Sequence, residues 1–359
     1  VTCAVQSSSA TTVLVVSFAN AGLLTLAQAI GLVMGANIGT TITAWIVALF
    51  GFKIKISAFA LPIIGIGFPL SLIGSRRSQQ ISEVMVGFGL LFLGLKFLKD
   101  GVPNLKDSPE AFEFLTNLAH YGFGSILLFV LAGLIVTVIV QSSSASTAIV
   151  LTMVAKGWIP LELAAAMALG ANIGTTVTAQ LAVIGANRNA KRVAHFHTLF
   201  NILGVLMILP FIDPLLDLMK MIVPGDPTDT EGVLPKQVAA FHTTFNILVT
   251  VVLIGFVSWL EKIVMWLVPR GKDETEGAHL QFLQTGLLGT PELATVEARR
   301  ALQNMVEICV DMFGSLREVI GNPEKKLGNL VDEIKRGEQK TDEMEEEIID
   351  FCSQLSRAG

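Results

Sequence analysis

The sequence predicts an all-α, polytopic helical membrane protein followed by a soluble helical segment. The chain of 359 residues is 52% hydrophobic but only 15% charged, whereas a soluble domain of this size carries roughly 25% charged residues. Several stretches almost free of charge exceed the about 20 apolar residues that a helix needs to cross a bilayer. The 32 glycines and the single tyrosine also fit a helical membrane protein.

Charge is distributed unevenly along the chain. From Arg270 to Gly359 there are 11 Lys and Arg against 18 Asp and Glu, whereas the residues before Arg270 have 14 against 12. The C-terminal quarter is therefore predicted to be a separate, acidic, soluble segment. Cys3, Cys309 and Cys352 form no disulfide framework, which fits a cytoplasmic location for this segment.

A segment at the start of the chain returns in its second half. Val1–Leu49 lies over Val136–Ile184 without a gap, with 22 identities in 49 positions. The identities concentrate in the strings QSSSA and GANIGTT, whose second copies begin at Gln141 and Gly170. Apolar coincidence would scatter matches of Leu, Val and Ala, so these identical polar strings indicate a duplication.

The hydrophobic elements follow from apolar runs separated by loops that carry Gly, Pro and charge. In chain order we expect them at Val1–Asn20, Leu23–Phe50, Ser57–Ile73, Val84–Leu98, Gly124–Ala155, Leu161–Ile184, Val193–Ile212 and Val238–Val268. The duplication groups them into a first transmembrane repeat over residues 1–122 and a second over 123–270, before the soluble segment over 271–359. Because an apolar helix precedes the second copy alone, we expect the native protein to continue before Val1.

The polar strings inside apolar runs indicate a binding site. Unpaired polar groups that face lipid cost several kcal/mol each, and Ser-rich runs favour helix breaks and N-caps. A broken helix offers free N–H groups to an anion and free carbonyl groups to a hard cation. Paired breaks at equivalent positions of two halves are typical of the central site of a transporter. The alternative is that these small residues only let membrane helices pack closely.

We therefore expect one site that both repeats build. Its candidate residues come from the Q-S-S-S strings and from the polar positions of GANIGTT: Gln6, Ser7, Ser8, Ser9, Asn37, Thr40, Gln141, Ser142, Ser143, Ser144, Asn172 and Thr175. Asp and Glu lie near the ends of the predicted spans and not deep within them. A cation bound there must be held by neutral oxygens and balanced by an anion, which suggests an anion carried together with Na⁺.

The doubled Q-S-S-S motif, with G-A-N-I-G-T after each copy, resembles the type II sodium–phosphate cotransporter family from Val1 to about Val268. The resemblance implies two inverted repeats with broken or re-entrant helices. It also implies inorganic phosphate as substrate and Na⁺ as coupling ion, without an organic cofactor, a nucleic-acid partner or an enzymatic reaction. The location implied is the inner (plasma) membrane. The Na⁺ ligands would be Gln6, Ser8, Gln141 and Ser143, although the division of these oxygens between Na⁺ and phosphate stays open.

The family also carries an H-x-x-F-N string, which occurs here at His197 and again at His242. Some electrogenic relatives have Asp after that His, where this chain has Thr198 and Thr243. The number of Na⁺ ions and the electrogenicity therefore stay open. The first repeat departs from the pattern, because LPIIGIG stands at the aligned position. For both His residues we expect interhelical hydrogen bonds rather than direct ligation.

The segment from about Leu293 to Leu355 is predicted to form amphipathic helices and resembles the start of a PhoU-like helical bundle. We expect helix breaks at Pro323 and Gly337, and a homodimer that completes the bundle. The acidic pairs Glu307/Asp311 and Glu346/Asp350 have metal-binding spacing, but an acidic solvated face is the commoner outcome. The expected apolar face of the first helix comprises Val296, Leu302, Met305, Val306, Cys309, Met312, Phe313 and Leu316.

Three functions stay open at this point. The first is Na⁺-coupled phosphate symport by alternating access. The second is a membrane serine hydrolase that uses Ser8 or Ser143 with His197 or His242, which requires a Ser–His hydrogen bond and lacks the G-x-S-x-G elbow. The third is a non-transporting phosphate sensor that acts through the PhoU-like segment.

Overall fold

The computed structural model describes residues 1–52, 57–73, 75–101, 118, 121–226, 228–269, 291–321 and 328–358. Within these ranges the regular secondary structure is helical and contains no strand, so the prediction of an all-α protein is confirmed. The chain divides into two compact units, Val1–Leu267 and Val268–Gly359. The predicted loop from Gly101 lies mostly outside the described residues, as do residues 271–290 after the second predicted repeat.

The first unit is helical over its described residues. Its described α-helices are α1 (Thr2–Val5), α2 (Ser8–Asn20), α3 (Leu26–Phe50), α4 (Ser57–Ser71), α5 (Arg76–Gly101), α6 (Phe123–Val140), α7 (Ser143–Ala155), α8 (Leu161–Gly174), α9 (Thr176–Ala182), α10 (Arg188–Ile208), α11 (Ile212–Ile222), α12 (Leu234–Ile254) and α13 (Val257–Leu267). A 3₁₀ turn at Leu209–Phe211 joins α10 to α11.

Among the described residues, five helical segments are long and apolar enough to cross a bilayer, which confirms the polytopic prediction. They are Leu26–Phe50, Arg76–Gly101, Phe123–Val140, Arg188–Ile222 and Leu234–Ile254. Helix α6 shows how such a helix divides its surface. Leu127, Leu131 and Ile139 are about half exposed or more on one face, as lipid contact requires, while Gly133 on another face meets α8.

The predicted hydrophobic element at Val238–Val268 consists of two helices, α12 and α13, separated at Gly255 and Phe256. Glycine favours such a break because it has the lowest helix propensity after proline. The element predicted to begin at Val84 instead begins at Arg76 in α5. Polar residues can continue a helix beyond its apolar run, and the apolar pattern alone does not mark that end.

Helices α6 and α8 approach each other closely. A Cβ atom built on Gly133 would lie 2.1 Å from the carbonyl oxygen of Met167, and one on Gly170 would lie 1.8 Å from that of Val130. Both glycines therefore meet backbone, which a side chain would exclude. The same rule holds in the membrane, where small residues let helices pack at short range.

The second unit contains α14 (Pro291–Gly321) and α15 (Gly328–Ala358). They run antiparallel, because Ala294 packs with Phe351 while Ala301 packs with Met344. Small alanines let the two helices come together along this face.

The prediction of a helix break at Gly337 is wrong. Helix α15 continues through Gly337, whose missing side chain makes room for Met312 of α14. The predicted apolar face of α14 is right in part: Met305 packs against the cluster of Ala301 and Met344, whereas Leu302, Val306 and Phe313 are between 44% and 72% exposed. Pro323 and the Val296 side chain lie outside the described residues.

Candidate binding site at the paired helix breaks

Gln6 and Gln141 break their helices in the same way. Each follows the last residue of its helix, α1 or α6, with φ of 56° and 54°. Among the described residues, they are the two non-glycine positions with positive φ. A left-handed conformation is unfavourable for a residue with a Cβ atom and concentrates at functional sites. The two copies of the repeat therefore share an unusual backbone feature at equivalent residues.

A new helix begins directly after each break. Ser7 and Ser142 are extended and act as N-caps, with each hydroxyl accepting the N–H of Ala10 or Ala145 at 3.2 Å. The first N–H groups of a helix have no intrahelical partner and carry the positive end of the helix dipole. The starts of α2 and α7 are thus suited to bind negative charge.

The two breaks meet at their equivalent serines. The Oγ atoms of Ser8 and Ser143 lie 3.2 Å apart, and the two residues are 5% and 6% exposed. Ser8 and Ser143 occupy the same position in the two repeats, so their contact joins equivalent residues of the first and second repeats. The N-termini of α2 and α7 consequently converge on one buried place.

Two further hydrogen bonds join the repeats symmetrically around this contact. Ser144 donates to Thr43 Oγ1, and Thr178 donates to Ser9 Oγ, each at 3.3 Å. Thr43 also donates to Gln6 Oε1 at 2.8 Å. Neither threonine is among the predicted site residues, although the alignment of the two repeats pairs Thr43 with Thr178 and is the sequence signal that marks them.

The two glutamine side chains differ in their surroundings. Besides accepting from Thr43, Gln6 donates from Nε2 to the carbonyl oxygen of Cys3. The Gln141 side chain is exposed, and its backbone N–H donates to Thr137 O at 2.7 Å. The backbone conformation is thus shared by the two breaks while the side-chain contacts are not.

The predicted threonines Thr40 and Thr175 are placed differently from Thr43 and Thr178. Their hydroxyls donate within their own chain segments, to Ala36 O at 3.0 Å and Ala171 O at 2.9 Å. Threonine commonly bonds the carbonyl four residues earlier in this way. The hydroxyl protons of Thr40 and Thr175 are therefore used locally. Thr178 also donates to a local carbonyl, Thr175 O at 2.8 Å, but its oxygen lies 3.3 Å from Ser9 Oγ at the paired breaks as well.

Asn37 and Asn172 each contact the H-x-x-F-N string of another helix. His197 Nε2 lies 3.3 Å from Asn37 Oδ1, and His242 Nε2 lies 3.0 Å from Asn172 Oδ1. The expectation of interhelical hydrogen bonds for both His residues is confirmed. The imidazole rings contact asparagines, and Ser8 and Ser143 contact each other. The geometry therefore gives no support to the hydrolase alternative, which requires a hydrogen bond between one of these serines and a histidine.

The contacts at the paired breaks join neutral groups only. Hydroxyl, amide and backbone groups can donate to an anion, and their oxygens can hold a hard cation such as Na⁺. Within the described part of the chain, no group of three or more His, Cys, Asp or Glu is placed to hold a metal ion. The site thus has the chemistry for a small anion and an oxygen-bound cation together.

These features define a polytopic membrane protein with a buried polar site where two repeated helix breaks meet. The Na⁺/Pi-cotransporter family model matches residues 1–100 and 113–223. The chain belongs to this family.

Several curated proteins are similar to the chain. "Putative inorganic phosphate export protein YjbB" of Salmonella typhimurium is 32% identical over 93% of this chain and 59% of its own length. "Uncharacterized protein YqeW" of Bacillus subtilis is 32% identical over 58% of this chain and 64% of its own length. Human "Sodium-dependent phosphate transport protein 2B" is 36% identical over 34% of this chain and 20% of its own length.

The chain spans about three-fifths of the length of the first two of these relatives. No solved structure matches the chain.

Proposed function

We propose that the protein carries inorganic phosphate across the membrane together with Na⁺ by alternating access. The contact between Ser8 and Ser143 is the observation that carries this proposal. It brings two helix N-termini, one from each repeat, to the same buried place, where an anion interacts favourably with free N–H groups. Family membership and the names of the relatives add support for phosphate as the anion.

In this proposal, phosphate binds between the starts of α2 and α7. The backbone N–H groups of Ser8 and Ser143 and the hydroxyls of the Q-S-S-S residues donate to its oxygens. Na⁺ binds beside it through hydroxyl, amide and carbonyl oxygens, with Gln6 and Gln141 among the ligands. The paired charges lower the cost of placing an anion in a medium of low dielectric constant.

Transport then requires the two repeats to change their relative position around the bound ions. At the paired breaks, the two hydrogen bonds between Ser144 and Thr43 and between Thr178 and Ser9 are single and neutral. Each such bond contributes about 0.5–1.5 kcal/mol. Contacts of this strength can be exchanged in a transport cycle, as rigid-body rocking of one repeat against the other demands.

Uptake of ³²P-phosphate into proteoliposomes tests the proposal. The full-length protein is reconstituted, and an inward Na⁺ gradient is compared with the same gradient of K⁺. We expect phosphate to accumulate with the Na⁺ gradient but not with the K⁺ gradient. We also expect Ser143→Leu to lose this accumulation, because its side chain fills the space where the N-termini of α2 and α7 meet. A detergent-solubilised sample of the variant that unfolds at the wild-type temperature shows that the loss is not one of folding.

The remaining outcomes distinguish the alternatives. Phosphate that binds without crossing the membrane would favour the sensor that acts through α14 and α15. Absence of both binding and transport would overturn the proposal. Since one relative is named for export, efflux from phosphate-loaded vesicles is measured in parallel and gives the direction.

A further inference from the structure

A second, shorter internal repeat relates α10 to α12. Val193–Leu203 reads VAHFHTLFNIL and Val238–Leu248 reads VAAFHTTFNIL, with 9 identities in 11 positions. Both segments lie in the second half of the sequence, although the first repeat has no such string at its aligned position. The structure shows what the two copies contact.

The copy on α10 contacts the first repeat. Asn37 of α3 donates from Nδ2 to Asn201 Oδ1 at 2.9 Å, and its Oδ1 lies 3.3 Å from His197 Nε2. Asn201 in turn donates from Nδ2 to the carbonyl oxygen of His197 at 2.9 Å. Because Asn37 Oδ1 can only accept, the proton of this imidazole is on Nε2.

The copy on α12 contacts the second repeat with the same geometry. Asn172 of α8 donates to Asn246 Oδ1 at 3.1 Å, and its Oδ1 lies 3.0 Å from His242 Nε2. Asn246 donates to the carbonyl oxygen of His242 at 2.8 Å. All six residues of the two clusters are buried, so losing one partner leaves a polar group that water does not reach.

A second pair of bonds joins each repeat to the other copy of the string. Trp45 of α3 donates to Thr243 of α12 at 2.9 Å, and Gln180 of α9 donates to Thr198 of α10 at 2.8 Å. Trp45 and Gln180 are again equivalent positions in the alignment of the two repeats. The helices that carry GANIGTT are therefore fixed against both α10 and α12, each at two places.

We infer that α10 and α12 carry matched clamps, one for each repeat, and that His197, Asn201, His242 and Asn246 are positioning residues. Each clamp fixes the rotation and height of the segment that follows GANIG. Six residues beyond Asn37 and Asn172, that segment presents Thr43 or Thr178 to the Q-S-S-S cluster. The string absent from the first repeat is thus supplied from the second half of the chain. The effect of the clamps on transport rests on the proposed function. The pairing of each asparagine of GANIGTT with its histidine does not.

Double-mutant cycles on the full-length protein test the pairing. Asn37→Ala and Asn172→Ala are combined in all four ways with His197→Phe and His242→Phe, and the unfolding temperature in detergent is measured. We expect clear non-additivity for Asn37 with His197 and for Asn172 with His242, and additive effects for the two crossed combinations. Four additive combinations, or equal coupling in crossed and uncrossed ones, would overturn the assignment.

Phosphate uptake tests the positioning role. We expect His242→Phe to raise the KM for phosphate about tenfold with a smaller change in maximal rate, because an unpaired Asn172 amide lets its helix shift. His242→Gln keeps an N–H donor and is expected to recover a KM within about threefold of wild type. A purely structural role would lower the amount of folded protein without this change in KM.

Gln237→Ala is the matched control. It removes a buried hydrogen bond from the same helix α12, between Gln237 Nε2 and Val223 O at 3.0 Å, which does not reach α8. Its KM should stay at the wild-type value, and a KM shift equal to that of His242→Phe would refute the positioning role. If the wild-type protein does not transport phosphate, the proposed function is wrong but the clamps are still testable. The double-mutant cycles measure unfolding temperatures, which do not depend on transport.

Discussion

The left-handed backbone of Gln6 and Gln141 is the smallest feature on which the candidate site depends. A glycine would adopt this conformation without steric cost, yet the chain has glutamine at both breaks. A side chain is therefore retained where the backbone disfavours one. For Gln6 the reason is visible, since its amide joins Thr43 to the carbonyl of Cys3 across the break.

Thr43 and Thr178 provide a prediction at the scale of single residues. Thr43→Val keeps the shape of the side chain but removes its hydrogen bonds to Gln6 and Ser144. Because a neutral hydrogen bond contributes about 0.5–1.5 kcal/mol, we expect the KM for phosphate to rise about three- to tenfold. Uptake by proteoliposomes measures the change, and Thr178→Val should act in the same direction.

Thr152→Val is the control for these variants. Thr152 is also buried, but its hydroxyl donates to Ala148 O within α7, away from the paired breaks. Its KM should match that of wild type. An unchanged KM in both Thr43→Val and Thr178→Val would mean that these threonines do not shape the site.

Sequence reasoning identified the breaks at Gln6 and Gln141 because polar residues in apolar runs require a special environment. It could not rank the hydroxyls of each GANIGTT segment. Thr40 and Thr43 lie three residues apart, and only packing against the other repeat decides which one bonds within its helix and which reaches Gln6. Contacts between distant segments, such as that of Ser144 with Thr43, leave no local signal in the sequence.

At the scale of helices, the close approach of α6 and α8 depends on two glycines. A Cβ atom on Gly170 would collide with Val130 O of α6, and one on Gly133 would collide with Met167 O of α8. Both collisions are with backbone atoms, which cannot move aside as a flexible side chain can. Each glycine is therefore a site where one added methyl group tests this packing.

Gly170→Ala is expected to destabilise the protein by about 1–3 kcal/mol, as overpacking of a close contact does. Gly133→Ala should have a cost of the same size, because its Cβ atom would also meet backbone. Unfolding of the detergent-solubilised variants measures both. Unchanged stability in the two variants would contradict the close packing of α6 and α8.

Glycine also explains a failed prediction in the second unit. Low helix propensity indicated a break at Gly337, but α15 continues through it beside Met312. From sequence alone, a glycine that ends a helix and one that admits a neighbouring helix look alike. The neighbour that decides between them belongs to the preceding helix, α14, and only the packing of the two helices brings it to Gly337.

At the scale of the whole molecule, the predicted first repeat, 1–122, and second repeat, 123–270, are also connected at the surface. Lys99 of α5 forms an ion pair with Glu231, which precedes α12, with an N–O distance of 2.9 Å. The side chains are 27% and 50% exposed, and exposed ion pairs contribute little to stability. Such a pair can separate during a transport cycle, but a covalent link in its place cannot.

A cross-link between these positions tests whether transport requires the repeats to move. Lys99→Cys and Glu231→Cys are combined in the full-length protein with its native cysteines replaced by alanine, and the pair is joined by a bifunctional thiol reagent that a reductant cleaves. We expect phosphate uptake to stop on cross-linking and to return on cleavage. The control pair, Asp217→Cys with Lys220→Cys, replaces an ion pair of the same 2.9 Å length within α11. Because a link within one helix restrains no movement between repeats, its uptake should persist, and equal uptake by both linked proteins would exclude rocking at this surface.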